Sequence, residues 1–494
     1  MLGAYRIEHE GRAFYGNVAL REHHLFGRDG AAYVYDPATM AVRPLPPGLD
    51  GLIGRLAANP GCLISAEAMT ALEEAGLVDD GAPAAGTGGA PPAPAPAEPE
   101  AAPPLRAVTS IALFVAQTCN LRCVYCYGEG GEYSEPGMMD EKTALAAVDW
   151  LIDNSLDEPE VQIGFFGGEP LLNFKLMKKV AAYARQRGAA AGKRVAFSMT
   201  TNGTLLNEEI IAFLAAEGIN PMISYDGPAE YQDAQRPMAS GRGSHARVTA
   251  NLDKLRKVFP HLRGRATLYG DGDPFEVQKG MEEAGFTTCI VSKASPVLAR
   301  SEKPAEPSSE EMAKSDRMVA FNRGKVGKVL DAIRGRTLPE GNPPSMIGDL
   351  KRLARRDKKR HGCGVGKDLA GVSATGDIYP CHRFVGLPYM RLGNIRDGMP
   401  REENGYHRAI VEDSPVCGSC WARYMCGGGC MYLNRTATGD PRRPDRMDCR
   451  ERLATFDEIL HVFTQLDESD WTYIDGVIAR AEKARLHPAQ AERD

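Results

Sequence analysis

The stretch IALFVAQTCNLRCVYCYGEGG, residues 111–131, sets an unbroken apolar run at 111–115 shortly before three cysteines spaced C-x-x-x-C-x-x-C: Cys119, Cys123 and Cys126. Such a run reads as a buried strand, which places the thiols on its exit loop. The same pattern recurs downstream. Strand-like runs at 161–166, 195–200, 222–225, 266–269 and 289–292 alternate with amphipathic segments beginning near Asp140, Asn173, Asn207, Ser244, Pro274 and Ser308. In the first of these, Leu145, Val148, Leu151 and Ile152 share one helix face behind Asp140, a residue type that caps helix N-termini. Six strand–helix units in succession predict an α/β fold, a parallel sheet with helices packed outside it, curved as a partial (β/α)6 barrel. In that architecture the chemistry sits on loops after the C-terminal strand ends, and the cysteine loop falls there.

Working outward, residues 81–104 contain almost nothing but Ala, Pro, Gly and a few acids, so they are expected to form an extended, solvated linker. It separates the barrel, 105–307, from a small α+β module at 1–80. There 32–36 reads as a strand, and 48–58 and 65–75 as short helices, the second capped by Ser65. Residues 308–357 read as a helical bridge. From 358 to 450 periodicity fades while Gly and Cys rise, so something other than apolar burial must hold that region together. Helical patterning returns over 451–494 (Phe456, Ile459, Leu460, Phe463, then Ile474, Val477, Ile478) and is expected to pack back on the barrel.

Composition narrows the function. The 494 residues carry 59 Lys and Arg against 65 Asp and Glu, a formal charge of −6, which argues against a surface built to neutralise nucleic-acid phosphates. No apolar run approaches the ~18 residues that span a bilayer, and the first residues lack the layout of a secretion signal. The expectation is a cytoplasmic protein with no nucleic-acid and no membrane partner. In a reducing compartment the clustered thiols among its 12 cysteines read as metal ligands or catalytic groups rather than disulfides, with Cys62 and Cys289 left as buried core thiols. Three thiolates on one tight loop can hold three corners of a cubane iron–sulfur cluster and leave the fourth iron without a protein ligand. A second array, Cys363, Cys381, Cys417, Cys420, Cys426, Cys430 and Cys449, has too many thiols for one four-ligand site, so two sites are the minimum. A structural zinc knuckle of Cys417, Cys420, Cys426 and Cys430 is the plain alternative, and it leaves the other three unused.

The Cys119–Cys123–Cys126 spacing resembles the motif of radical S-adenosylmethionine enzymes over residues 110–295. The resemblance implies that the open iron is chelated by S-adenosylmethionine, whose cleavage yields a 5′-deoxyadenosyl radical, with Tyr125 packed near the cofactor. Gly167, Gly168, Glu169 and Pro170 match that family's GGEP motif, in which the glycines admit the methionyl amine and the Glu accepts its hydrogen bonds. Ser198, Thr201, Asn202 and Gly203 at the end of the third strand, and Ser224, Asp226 and Gly227 at the end of the fourth, are implied to line the ribose and carboxylate side of the cofactor. Arg236 resembles the Arg of a similar family segment.

The second array is similar to a SPASM domain, which implies two auxiliary 4Fe-4S clusters, three clusters in all. Carried over by position, Cys417, Cys420, Cys426 and Cys449 hold the outer one, and Cys363, Cys381 and Cys430 the inner one. Gly427, Gly428 and Gly429 would let backbone amides approach the sulfides. The sulfatase-maturase version supplies a further nearby cysteine that this chain lacks, so the inner fourth position is open to His361, His382, water or a substrate thiolate. The segment 363–398 resembles thioether-forming peptide maturases, those of six-cysteine peptides and of quinohemoprotein amine dehydrogenase. That implies a Cys-containing precursor peptide or small subunit as substrate, a flavodoxin- or ferredoxin-type electron donor, and catalytic roles for Cys119, Cys123, Cys126 and Cys430. Formylglycine formation, carbon–carbon crosslinking and a non-catalytic electron-transfer protein are the alternatives. More loosely, the 1–80 module resembles a winged-helix element that binds leader peptides by strand addition.

Overall fold

In the computed structural model the described residues are 5–9, 12–16, 18, 20–28, 30–59, 62–78, 107–294, 308–339, 343–398 and 410–486. The linker expected at 81–104 lies outside them. All six strands of the repeating pattern are present, as β1 (Ser110–Gln117), β2 (Glu160–Gly167), β3 (Arg194–Thr201), β4 (Met222–Ser224), β5 (Leu262–Leu268) and β6 (Phe286–Lys293). Each pairs in parallel with the next, in sequence order, and no pairing closes β6 onto β1 among the described residues. The sheet is therefore open, as a partial barrel requires.

Helices α1 (Glu141–Asn154), α2 (Phe174–Ala190), α3 (Glu208–Ala216), α4 (His245–Arg256), α5 (Pro274–Glu283) and α6 (Ser309–Arg334) follow the strands one by one. Several starts are chemically fixed. The Asp140 and Asn207 side chains accept from the backbone N–H three residues on, and Ser308 closes a reciprocal capping box with Glu311. At α5 the cap is Asp273, one residue before the Pro274 that opens the helix.

Along β5 buried and half-buried residues alternate strictly. Leu262, Ala266 and Leu268 belong to the barrel core together with Val148, Leu151, Val180, Leu214, Val248 and Leu252 of the outer helices, whereas Arg263, Arg265 and Thr267 face an internal cavity. This alternation explains why the sequence pattern finds only 266–269 of β5 and 289–292 of β6. The remainder of β5 carries Arg263 and Arg265 directed inward, and β6 before Cys289 is Phe286 followed by two threonines.

Three features differ from expectation. First, β7 (Leu369–Val372), inside the Cys-rich region, adds in parallel to the free edge of β1, with Leu369 opposite Ser110 and Val372 opposite Leu113. β8 (Asp377–Tyr379) then folds back on it as an antiparallel partner. The Cys-rich region is thus continuous with the barrel sheet, and its Phe384, Met390 and Tyr432 share an apolar core with Phe114 of β1. Second, α7 (Ser345–Arg355), α8 (Arg446–Thr464) and α9 (Glu468–Leu486) form a second core with α6 rather than packing back on the barrel. Phe456, Ile459, Leu460, Ile474 and Val477 meet Val329, Ile333, Ile347 and Leu350 there. Third, α8 runs through the expected boundary at 450 and itself carries Cys449.

The N-terminal module contains two three-stranded antiparallel sheets, Tyr5–His9, Arg12–Gly16 and Ile64–Ser65, and His24–Arg28, Ala31–Asp36 and Ala41–Pro44. Helices Leu49–Ala58 and Ala66–Glu74 pack with Ile53, Leu56, Met69 and Leu72 in a third core, and the Ser65 hydroxyl caps the second helix. None of the helices among the described residues is long and apolar enough to cross a membrane.

Candidate functional site

Beyond β1 the chain makes a tight loop that carries Cys119, Cys123 and Cys126, all half-buried. Residues 235–239 hold it from behind: Arg122 N–H donates to Pro237 O (2.8 Å), Val124 N–H to Gln235 O (3.0 Å) and Ala239 N–H to Asn120 O (2.9 Å). This clamp sets Arg236 beside the thiols, its Nη1 3.8 Å from Cys123 Sγ. The three cysteines open onto a cavity of about 540 Å³. Of the residues implied for the cofactor, Tyr125, Gly167, Gly168, Ser198, Asn202, Ser224 and Arg236 line the same cavity. Ser198 does so from inside β3 rather than from its end.

Glu169, Pro170 and Asp226 stand one layer behind the wall. The buried Glu169 carboxylate already accepts from Thr201 Oγ1 (2.7 Å), Asn202 N (2.8 Å) and Leu171 N (3.1 Å). It therefore fixes the end of β3 with three of its roughly four acceptor sites, and burial pushes its carboxyl up to about 7. The Asn202 side chain donates to Asn120 Oδ1 (2.9 Å) and lies 3.8 Å from Cys119 Sγ. Asp226 takes the Tyr125 hydroxyl (2.5 Å) and Thr267 N–H (2.9 Å) and pairs with Arg236 Nε (3.1 Å). Pro170 is buried at the start of a short 3-10 turn.

The glycines of 167–170 are required by the fold itself. A Cβ at Gly168 would lie 2.2 Å from Thr118 O, and one at Gly167, where φ is 133°, would lie 2.1 Å from Ala116 O. What approaches them is the backbone of β1 and its exit loop. Burial pushes the Cys119 thiol up to about 12, so holding this group as thiolates needs a positive partner.

The seven cysteines of the second array divide as four and three. Cys417, Cys420, Cys426 and Cys449 line one small cavity with Gly428, Gly429 and Arg423. Gly428 and Gly429 both adopt positive φ, 96° and 76°, which turns consecutive peptide groups along its wall. Cys430 leaves this group for Cys381 and Cys363, with which it interacts electrostatically. The grouping of a knuckle made from 417, 420, 426 and 430 is therefore not the one the fold makes. Among the described residues no three His, Cys, Asp or Glu side chains converge tightly enough to ligate a single metal ion. His382, beside Cys381, lines the barrel cavity, meets the Phe166 ring at a tilt and is held neutral by burial and by Arg383 and Arg265, its pKa lowered to about 3. Cys62 and Cys289 are half-buried against the module and barrel cores.

Sequence reasoning missed Asn120, Tyr133, Arg263, Arg265 and Lys293. Tyr133 donates to Gly167 O (3.2 Å), and Lys293, at the end of β6, pairs with Glu451 of α8 (2.5 Å). The alternation in LRGRATL is the signal that would have placed Arg263 and Arg265 on one strand face.

Comparison with known proteins agrees with this arrangement. The model of the Radical SAM superfamily matches residues 113–276. An uncharacterised protein of Methanocaldococcus jannaschii is 31% identical over 290 residues, 58% of this chain and 88% of its own length. The serine-type anaerobic sulfatase-maturating enzyme of Bacteroides thetaiotaomicron is 25% identical over 371 residues, 66% of this chain and 84% of that one. The mycofactocin maturase of Mycobacterium ulcerans is 26% identical over 323 residues, 63% and 80% respectively. Among solved structures, native anSMEcpe with bound AdoMet has a TM-score of 0.59 at 20% identity, covering 72% of this chain and 100% of that chain, a likeness of fold.

Proposed function

Since the chain belongs to the Radical SAM superfamily, a family that implies one 4Fe-4S cluster and S-adenosylmethionine, we propose that it is a peptide maturase that joins a cysteine sulfur to carbon within a ribosomally made precursor. The observation that carries this reading is the partition of ten thiols into three neighbourhoods. The first walls the barrel cavity, and Cys430 of the second lies within electrostatic reach of Arg265 in the same wall. Maturases of sulfatases and of mycofactocin among the relatives support a peptide substrate.

In this reading Cys119, Cys123 and Cys126 hold the S-adenosylmethionine cluster, Cys363, Cys381 and Cys430 an inner auxiliary cluster, and Cys417, Cys420, Cys426 and Cys449 an outer one. When bound, these groups supply a carbon-centred radical that takes hydrogen from the substrate and a sink for the surplus electron. The chain does the rest. Arg236 and Ser224 offer donors for a carboxylate at the cofactor corner. Tyr125 is held in place by Asp226, and Glu169 fixes the Asn202 backbone beside Cys119. Three inner thiols leave one position for a substrate thiolate, which a soft iron favours. The 1–80 module serves as the docking element for the leader.

The test is anaerobic reconstitution followed by co-expression with a small Cys-containing peptide. The expected result is about twelve irons per chain, deoxyadenosine release under reduction, and loss of two hydrogens per crosslink by mass spectrometry. Cys123→Ala should abolish deoxyadenosine formation, whereas Cys430→Ala should reduce crosslinking more than cofactor cleavage. A peptide that has exchanged thiol sulfur for oxygen would instead indicate formylglycine formation. Colourless protein carrying zinc would overturn the reading.

A further inference from the structure

The inward face of β5 carries Arg263 and Arg265 two residues apart, both in the cavity wall. Thr267, two residues further on, marks the level of the cofactor corner, because its N–H donates to Asp226. At about 3.3 Å per strand residue, the backbone of Arg265 lies ~7 Å and that of Arg263 ~13 Å below that level. The other cations of the wall differ from these two. Arg236 is paired with Asp226 and Lys293 with Glu451, and Arg383 lies over the Tyr127 and Tyr432 rings.

No carboxylate among the described residues pairs with Arg263 or Arg265. Arg265 reaches only Ser292 Oγ at 3.4 Å, and Arg263 Nε is buried without a hydrogen-bond partner. Burial works to discharge both; around Arg265 stand two further arginines, Arg383 and Arg236, opposed by the Tyr127 hydroxyl and the Cys430 thiol and by no carboxylate among the described residues. A partly buried cation pair of this kind is costly unless an anion joins it. The forked guanidinium matches a carboxylate in particular.

We propose that Arg263 and Arg265 form a carboxylate anchor at the deep end of the barrel cavity, which holds an acidic group of the substrate peptide apart from the carbon that reacts. The proposal rests on the peptide-maturase reading. It gives that reading a selection rule: the modified segment carries a carboxylate, from an Asp or Glu side chain or from a chain terminus, at a fixed offset from the reaction point.

The experiment uses the anaerobically reconstituted full-length protein, titrated calorimetrically at low salt. The probes are N-acetyl-Gly-Asp-Gly-amide, its Asn counterpart, and N-acetyl-Gly-Asn-Gly with a free C-terminus. The side-chain source predicts that the Asp peptide binds about tenfold or more tightly than the Asn amide. The terminal source predicts the same advantage for the free acid. Either preference should vanish in Arg263→Gln/Arg265→Gln. If both acids bind no better than the Asn amide, or if the preference survives the double substitution, the anchor is wrong. Should the double variant fail to fold, the comparison of acid with amide on the unsubstituted protein still decides. Deoxyadenosine release by the same preparation under reduction tests the underlying chemistry separately. Release without carboxylate preference removes only the anchor, and preference without release removes the radical reading.

Discussion

Glu169 shows at the residue scale how position in the fold gives a side chain a structural task. In the sequence it looks like a direct ligand of the cofactor, yet three protein donors already occupy it and it is fully buried. Its carboxyl holds a proton more tightly in the folded chain, near 7, than at its ordinary value of 4.5. The folded state therefore binds more protons than the unfolded one across that interval. This group's contribution to stability is greatest below about 4.5 and declines as pH rises toward 7. Glu169→Gln should flatten that slope in thermal melts of the cluster-free protein. It should also lower the melting temperature at pH 5, because the amide leaves the Asn202 N–H or Thr201 hydroxyl poorly matched, a loss of about 1–3 kcal/mol. The ten thiols were legible in the sequence, three by their spacing and seven through the resemblance of the second array to a SPASM domain. The second-layer roles of Glu169 and Asp226 were not, since they depend on which backbone amides turn toward them once β3 and β5 are side by side.

At the scale of elements, the six strands and six helices of the barrel were legible from period and caps, and the misreadings have specific causes. β5 looked half its length because Arg263 and Arg265 face inward, so a polar wall interrupts the apolar signal. The faces of α8 and α9 were read correctly as apolar, but a periodicity says nothing about its partner, and they chose α6 and α7 over the barrel. The turn after β2 offers the sharpest test. A Cβ at Gly168 would meet Thr118 O at 2.2 Å and Gly131 O at 2.8 Å, both on the cysteine loop or its return. Gly168→Ala must push that loop away. The expected outcome is destabilisation of about 3 kcal/mol and, on the three-cluster reading proposed above, loss of roughly one third of the iron, read by metal analysis. Retention of full iron would show that the loop yields without losing its thiol geometry.

For the whole molecule, the N-terminal module docks behind the wall of the four-cysteine cavity, on the Arg423 that lines it. Glu22 receives a forked pair of hydrogen bonds from the buried Arg423 (2.5 and 2.8 Å), and the His24 ring stacks on Trp421 at 3.7 Å. Arg28 meets Glu458 of α8 in the same forked manner. Glu22→Gln should leave the Arg423 guanidinium under-paired next to Cys420, at about 1–3 kcal/mol. Alkylation of the thiols at 417 and 420 in cluster-free protein should be faster as a result. An unchanged alkylation rate would mean that the module rests on this surface without holding it. None of this docking was legible from sequence, because the partners lie about 400 residues apart and each looks like an ordinary surface charge. The pairing of β7 with β1 has a further consequence during translation. An almost wholly buried strand, Ser110–Gln117, has the far end of its outer edge covered by Gly137 and Met138, but keeps Ser110–Leu113 uncovered until residues 369–372 have left the ribosome. Over that interval the nascent barrel presents a sticky flank to its neighbours on a polysome, so chaperone supply and elongation rate would govern the yield of active protein as much as cluster loading does.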